Sequence, residues 1–519
     1  MTSIKRILFF MLLVSSAVQA QLADSLFLKQ NSFYAPLQNQ LWETPLFFTS
    51  QKLRDFTQIQ IDFAEKNTPL KRVQSADRTT EYGFQAQGIF NIKPKLRLFG
   101  DFNFTKNFEK GIGYNLSSGR TDNQNVLAPN YFFAPRKGNW EGQNYSLNGG
   151  FSYEFDNHLL LSLTAFYENK KLFRTIDPRP QVTSSNYGGE IHAGYILKNH
   201  RIFGSIGRSR NSEKSSILYV DDSQNAPAYP ETFTRFSNGY GRIIFNSSYT
   251  GNMTVDRNEN FGAGYQYQNN KNSISLTYKY NKSMDDFYGR DANGKIYIEK
   301  DLIQFKYRLV SHETKLNYFY DGDKTDYKLQ LKYTKDQGDN YSVAERGQNY
   351  RMNLEKLSFQ AGMIKKENDR VLYSFEITGN YAQHKYIDLL GRTNKKLNAF
   401  EAEASFNRDI LALKNNRLNL ALSFQNYSAL DEALLYVPIT NSNYFAENVV
   451  IPDHAFDITS KLQSKIVAQH YISLPKKRTL RIFANYATLF TLDKKYEAYV
   501  SDFENKNNTY FNAGISINY

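Results

Sequence analysis

Asn507-Asn508-Thr509-Tyr510-Phe511-Asn512-Ala513-Gly514-Ile515-Ser516-Ile517-Asn518-Tyr519 alternates through to its last residue. Phe511, Ala513, Ile515, Ile517 and Tyr519 fall on one face of an extended chain, and Asn512, Gly514, Ser516 and Asn518 fall on the other. Period-two alternation marks a strand with one apolar and one polar face. Chain ends ordinarily fray, so a terminal strand this regular calls for a pairing partner on each side. The run Leu480–Tyr486 supplies one and Phe56–Ala64 the other, which would close the sheet on itself.

The same unit recurs along the chain. Thr57, Ile59, Ile61 and Phe63 oppose Gln58, Gln60 and Asp62, and Thr80–Ile92 sets Tyr82, Phe84, Ala86, Gly88 and Phe90 on one side. Leu96–Lys106, Tyr145–Phe155, Leu159–Tyr167, Tyr187–Leu197, Phe261–Tyr267, Ile274–Tyr280, Ile303–Leu309 and Tyr327–Tyr333 repeat the pattern. So do Leu357–Met363, Tyr373–Tyr381, Phe400–Phe406, Leu418–Phe424 and Phe456–Ile466, with almost no helical periodicity between them. Connections are of two kinds. Short ones carry turn chemistry, as in Lys93-Pro94-Lys95, Lys198-Asn199-His200 and Pro475-Lys476-Lys477. Long ones include Phe108–Gln143, Asn211–Thr234 and Leu430–His454. Short periplasmic turns alternating with long extracellular loops predict an all-β fold: one transmembrane antiparallel up-and-down β-barrel. Asp301–Asp321 reads as one long strand or two, and Phe233–Thr250 as a spanning strand or an extracellular hairpin. Reading both as extensions gives about 18 strands within a range of about 16–20. A strand ending on an aromatic residue such as Tyr519 resembles the signal that outer-membrane barrels present to their assembly machinery.

Composition agrees with a barrel. The chain has 519 residues, no cysteine, 38 Tyr and 39 Phe, so disulfides and Cys-based metal sites are excluded. Tyr and Phe favour strands and suit the aromatic girdles at both edges of a barrel's apolar band. A mean hydropathy of −0.59 fits a wall in which only alternate residues meet lipid. Lys5 and Arg6, the apolar run Ile7–Val14 and the small residues before Gln21 predict a signal peptide over 1–20. Residues 21–55 hold Leu41-Trp42, Pro45 and Leu46-Phe47-Phe48 without alternation. That segment would either enter the barrel as a small plug or lie across its periplasmic mouth, with 56–519 forming the barrel. The formal charge of +13 suits anionic lipopolysaccharide or a polar lumen better than nucleic acid, because an exported chain meets none. The expected location is the outer membrane.

The polar faces name the lumen. Arg97, Lys306, Arg308, Lys328, Lys332, Lys461, Lys465 and Arg481 are expected inward, with Glu190, His192, Glu376, Glu401 and Glu403, and Asp457 beside them. With Lys279, Asp62, Glu81, Asp101 and Glu154 the inward set holds nine bases and nine acids, and such balance argues for pairing or for an inserted segment rather than a simple anion pore. Glu190 beside His192 could orient an imidazole. No GxSxG, HExxH or P-loop occurs, and neither a catalytic set, a metal site nor a cofactor is expected.

Two loop runs are more specific. Ala128-Pro129-Asn130-Tyr131-Phe132-Phe133-Ala134-Pro135 leads through Trp140 into Tyr145–Tyr153, and Phe173-Arg174-Thr175-Ile176-Asp177-Pro178-Arg179-Pro180 precedes Asn186. Tyr131, Phe132, Phe133 and Trp140 form either a partner platform or a loop packed over the mouth, while the proline-stiffened segment with Asp177 and Arg179 is expected either to order the outer rim or to fold inward as a constriction. These runs and the C-terminal strand resemble a family of outer-membrane β-barrels of unknown function found in Bacteroidota. An acidic residue usual in that family near Ala134-Pro135 is missing here. The resemblance implies an envelope barrel, sometimes encoded beside TonB-dependent uptake systems, and no catalytic residue. The expected function is a transport-related channel or an accessory subunit of an uptake system, with a TonB-dependent receptor or surface lipoprotein as partner. The alternatives are a closed-lumen receptor or secretion-complex subunit, and then a lipid- or peptide-hydrolysing enzyme.

Overall fold

The computed structural model describes residues 32–50, 55–119, 129–155, 158–244, 251–269, 271–289, 295, 298–367, 370–413, 415–438, 444–476, 478–499, 503 and 506–519. The expected signal peptide lies outside them. Strands β1 (Phe56–Asn67), β2 (Arg78–Lys93), β3 (Leu96–Ile112), β4 (Asn130–Phe133), β5 (Gly138–Phe155), β6 (Leu159–Arg174) and β7 (Arg179–Leu197) come first. Next are β8 (His200–Leu218), β9 (Arg235–Asn238), β10 (Ile243–Ile244), β11 (Gly251–Gln268), β12 (Asn272–Tyr288), β13 (Ile303–Asp321) and β14 (Thr325–Ser342). The last are β15 (Tyr350–Glu367), β16 (Arg370–Asp388), β17 (Thr393–Ala412), β18 (Asn416–Tyr436), β19 (Lys461–Leu474), β20 (Arg478–Thr491) and β21 (Asn508–Asn518).

All but β4, β9 and β10 join one 18-stranded sheet in which each strand pairs antiparallel with its chain neighbours. The sheet closes where β1 meets β21, from Gln58 opposite Asn518 to Asn67 opposite Thr509. The backbones of Tyr519 and Thr57 extend that seam by one further pair. Of Asp301–Asp321, Ile303–Asp321 is thus a single long strand behind a 3₁₀ turn, and the chain over 233–244 forms an extracellular hairpin rather than a span, residues 245–250 lying outside the described ones. Closure leaves no edge strand in the 18-stranded sheet, which hydrocarbon requires.

The outer face carries the lipid contact. Ile61, Leu147, Ile202, Leu276, Ile377, Phe424 and Ile515 are exposed on the face that the alternation turns away from the lumen. Tyr82 and Phe90, Tyr187 and Tyr195, and Tyr373 and Tyr381 each stand eight residues apart on one strand. That is roughly 26 Å along the strand, the spacing of two aromatic belts bracketing an apolar band.

Above and below this band the parity of the apolar residues inverts. On β15, Leu357 and Phe359 face lipid, whereas Tyr350, Met352 and Leu354 face inward and are buried. On β13, Phe305 and Tyr307 are buried inward. The expectation that Lys306 and Arg308 line the lumen is therefore corrected: both lie on the outer face of the extracellular extension. There Arg308 pairs with Asp339, 2.6 Å away on β14. The inward base of β13 is Lys315 instead, buried and paired with Glu43 at 2.7 Å. The expected strand Phe456–Ile466 is corrected too. Its first residues belong to helix α3 (Ile451–Ile458), and β19 starts at Lys461.

A parity test follows. Ile377→Lys, outward in the middle of β16, should cost about 2–4 kcal/mol of stability in vesicles, while Thr378→Lys, its luminal neighbour, should cost far less. Urea unfolding of the refolded barrel reads both; equal losses would contradict the assigned faces.

Candidate functional site

The periplasmic end is crossed by the N-terminal segment. A 3₁₀ turn (Ser32–Tyr34) leads into α1 (Ala35–Glu43), which has proline in its first turn, where no amide is needed. Thr44 precedes Pro45, which disfavours continuing the helix, and α2 (Phe47–Ser50) follows. Phe33 and Tyr34 pack on Phe319, Ile364 and Val371 of β13, β15 and β16. Leu41, Leu46, Phe47 and Phe48 pack on Ile89, Phe99, Leu160 and Phe203 of β2, β3, β6 and β8. The two pads lie on well-separated sectors of the wall, so the segment spans the mouth as a strap. Its polar ties are Lys315 to Glu43, Tyr34 Oη to Asp326 at 2.6 Å, and Ser152 Oγ to the Pro45 carbonyl at 2.5 Å. Lys328 Nζ joins strap to wall: it donates to the Phe33 carbonyl and to Glu376, each at 2.8 Å.

The extracellular end carries a folded cap. β10, β9 and β4 form a three-stranded sheet whose Phe132 and Phe236 pack on Phe287 and Phe305 of the wall. Tyr131 and Phe133 join Tyr240, Phe445 and Val450 in a second core against Tyr307, Tyr350 and Tyr386. Asp388 accepts from the Tyr240 and Arg242 amides at 2.8 and 2.9 Å, fixing the β9–β10 turn. Helix α3 is held by a buried ion network. Asp457 accepts from Arg72 of the β1–β2 loop and from Lys395 of β17, each at 2.5 Å, and its backbone carbonyl accepts from Tyr427 at 2.6 Å. Burial would raise the Asp457 pKa, but Arg72 and Lys395 outweigh it and hold the carboxyl below its ordinary range. Asp453 accepts from the Val73 amide at 2.8 Å. Burial outweighs the Arg72 charge there and pushes Asp453 up to about 6.

Between strap and cap lie two polar chambers. The inner one, about 520 Å3, is lined by Gln60, Asp62, Glu376, Glu403, Lys465, Arg481 and neighbouring amides and hydroxyls. The outer one, about 320 Å3, is lined by Arg72, Lys356, His384, Glu401, Tyr427, Phe456 and Lys461. Sequence reasoning placed Glu376, Glu401, Glu403, Lys461, Lys465 and Arg481 in the lumen, and these chambers gather them. Lys332 is also inward and pairs with Glu313 at 2.6 Å. Arg97 is buried near the strap. His192 is buried 3.7 Å from Glu190.

The loop residues have other duties. Tyr131, Phe132, Phe133 and Trp140 are buried, so they pack the cap and are no open platform. Asp177 pairs with Arg179 at 2.8 Å and accepts from the Val220 amide at 3.1 Å, tying two rim segments. Tyr519 closes the seam with Arg478 over its ring at 4.9 Å. Missed from sequence were Lys315, Lys395 and Arg72, whose partners sit on distant loops and helices. Among the described residues no group of His, Asp or Glu is arranged to hold a metal ion.

A closed barrel with a lipid-facing band between aromatic belts defines an outer-membrane β-barrel protein. Within that class the chain belongs to DUF6850, a family of unknown function whose model matches residues 45–519. No curated protein matches the sequence. Similar solved structures include BauA, the ferric preacinetobactin receptor of Acinetobacter baumannii (8% identity, 90% of this chain and 80% of that one, TM-score 0.40). The outer membrane transporter YddB of Escherichia coli aligns at 9% identity over 90% of this chain and 81% of that one, with TM-score 0.37. OccAB2 of Acinetobacter baumannii aligns at 9% identity over 90% of this chain and 97% of that one, with TM-score 0.38.

Adjacent residues of α3 give the cap opposite pH responses. Asp453 rises from 3.8 to about 6 in the docked cap, so its contribution to docking is fully present below pH 4 and lost as pH rises through 6. His454 falls from 6.5 to about 4, through burial and then the Lys395 charge; its contribution is present above pH 6.5 and lost as pH falls through 4. Relative to wild type, Asp453→Asn should shift protease protection of the cap in favour of pH 7 over pH 5. His454→Phe should shift it the other way. Limited proteolysis at the two pH values reads the pair, and shifts of the same sign would refute the assignment.

Proposed function

We propose that this protein is a gated conduit for small polar solutes across the outer membrane of a Gram-negative, Bacteroidota-type cell. The observation that carries the reading is the Lys328 contact: one ammonium holds both the strap carbonyl of Phe33 and the chamber carboxylate of Glu376. Whatever draws Glu376 away from Lys328 acts directly on the group that holds the strap. The strap has no ladder hydrogen bonds with the wall among the described residues, so it can leave without opening the barrel. A polar chamber enclosed by removable elements serves passage better than a filled lumen would.

A second reading is an accessory subunit of an uptake system. Leu389 and Leu390 in the β16–β17 turn, Leu435 near the end of β18 and Val437 just past it are exposed beyond the aromatic belt. An outer-membrane receptor or surface lipoprotein is the partner this reading implies. Lipopolysaccharide around the outer rim and the barrel assembly machinery at β21 are the partners expected under either reading. The reading leaves the lumen without an enzymatic role.

Planar-bilayer recording tests the conduit. The chain has no cysteine, so Gln40→Cys with Asn317→Cys, at positions whose native side-chain tips meet at 3.5 Å, gives a reducible lock when the two thiols are bridged by a short bis-methanethiosulfonate linker, since cysteines there are too short to meet directly. The bridged pair should stay silent, the reduced pair should gate, and deletion of residues 32–48 should raise open conductance several-fold. A deletion variant as silent as the locked one would sink the proposal.

A further inference from the structure

Five acidic or basic side chains line the inner chamber, and three are already engaged by the wall. Asp62 accepts from Gln60 at 3.0 Å and from Asn512 at 3.4 Å. Glu376 accepts from Lys328 at 2.8 Å and from Gln360 at 3.0 Å. Arg481 donates to the Gln60 side chain at 2.6 Å and to Ser516 at 3.0 Å. The remaining two, Glu403 and Lys465, have no hydrogen-bond or ion-pair partner among the described residues, although both line the cavity. They are opposite in sign.

Register fixes their relation. Glu403 lies opposite Gln425, and Gln425 opposite Gln463; one luminal step nearer the periplasm, Ser405 lies opposite Ser423, and Ser423 opposite Lys465. The two charges are therefore two strands and one step apart. Their Cα atoms are separated by about 10 Å across the sheet and about 7 Å along it. That is too far for backbone-adjacent pairing, yet close enough for both side chains to reach one small solute. The groups between them are neutral: Ser405 and Ser423 of the inner chamber, and Gln425 and Gln463 where the outer chamber adjoins it, offer donors and acceptors suited to an amide. An anion alone would leave Glu403 unanswered and a cation alone would leave Lys465 so.

We infer that the inner chamber is a binding site for small zwitterions of the short-peptide class, with the solute's ammonium at Glu403 and its carboxylate at Lys465. The inference rests on the conduit reading and narrows its cargo. A chamber of about 520 Å3 lies in the range of small-molecule sites. Charge-assisted hydrogen bonds at both ends would select for separation of charge, and the amides between would read the peptide group.

Equilibrium dialysis of the full chain in detergent against glycylglycine, and against its N-acetylated, C-amidated analogue, tests this without requiring conductance. Glycylglycine should bind at least about tenfold more tightly, which is about 1.4 kcal/mol. Glu403→Gln or Lys465→Gln should each remove that preference. The double change Glu403→Lys with Lys465→Glu should restore it, because a reversed solute meets reversed charges. Equal binding of the two probes, no binding of glycylglycine, or single variants that keep the preference would each overturn the site. A barrel that binds glycylglycine but never conducts keeps the site and loses the conduit; conduction without such binding does the reverse.

Discussion

Everything in this molecule depends on the seam between β1 and β21. Once Gln58–Asn67 pairs with Thr509–Asn518, no strand of the 18-stranded sheet has a free edge. Every strand's amides and carbonyls can then be answered by neighbours, and the wall can stand in hydrocarbon. With the backbone so committed, side-chain parity is the variable left to the sequence. Alternate residues meet lipid, and the others meet whatever fills the lumen. Arg481 illustrates the coupling: it bonds Gln60 of the first strand and Ser516 of the last, so a chamber-lining residue also crosses the closure.

Parity explains what could be read from the sequence and what could not. Inside the bilayer the apolar face is outward, so Tyr373–Tyr381 or Phe511–Tyr519 gives its orientation directly. The inward assignments of Glu376, Glu403, Lys465 and Arg481 followed from that rule. At the ends of the strands the rule reverses, because the buried side there is the lumen. Phe305 and Tyr307 are apolar because they pack under the cap, and treating them as lipid contacts put Lys306 and Arg308 on the wrong face. The clue lay in β15, where the apolar positions switch from even at Met352 and Leu354 to odd at Leu357 and Phe359. Such a switch without a bulge marks the level at which a strand leaves the membrane.

Long-range pairing was less legible. Ile451–Ile458 has alternating apolar residues near its end, which imitate a strand, yet Pro452 in the first turn favours a helix start. The role of Asp457 depends on Arg72 and Lys395, hundreds and tens of residues away, and no local pattern announces such partners. A buried carboxylate between two cations is costly to strip of either one. That makes α3 a fixed part of the cap, in which the β1–β2 loop and β17 share one anchor.

The strap is built on a different principle. Its apolar side chains lie on two pads and its polar contacts are few, so its docking energy is mainly the burial of Phe33, Leu46, Phe47 and Phe48, at about 25 cal/mol per Å2. Elements held by side chains alone open at lower free energy than elements held by ladders. Displacement would expose the pads to water, so docking is favoured, and a gated conduit of the kind proposed would need a ligand or partner that prefers the undocked strap. Lys328 is where such a preference can enter. Freed from Phe33, its ammonium still has Glu376, so undocking strands no charge.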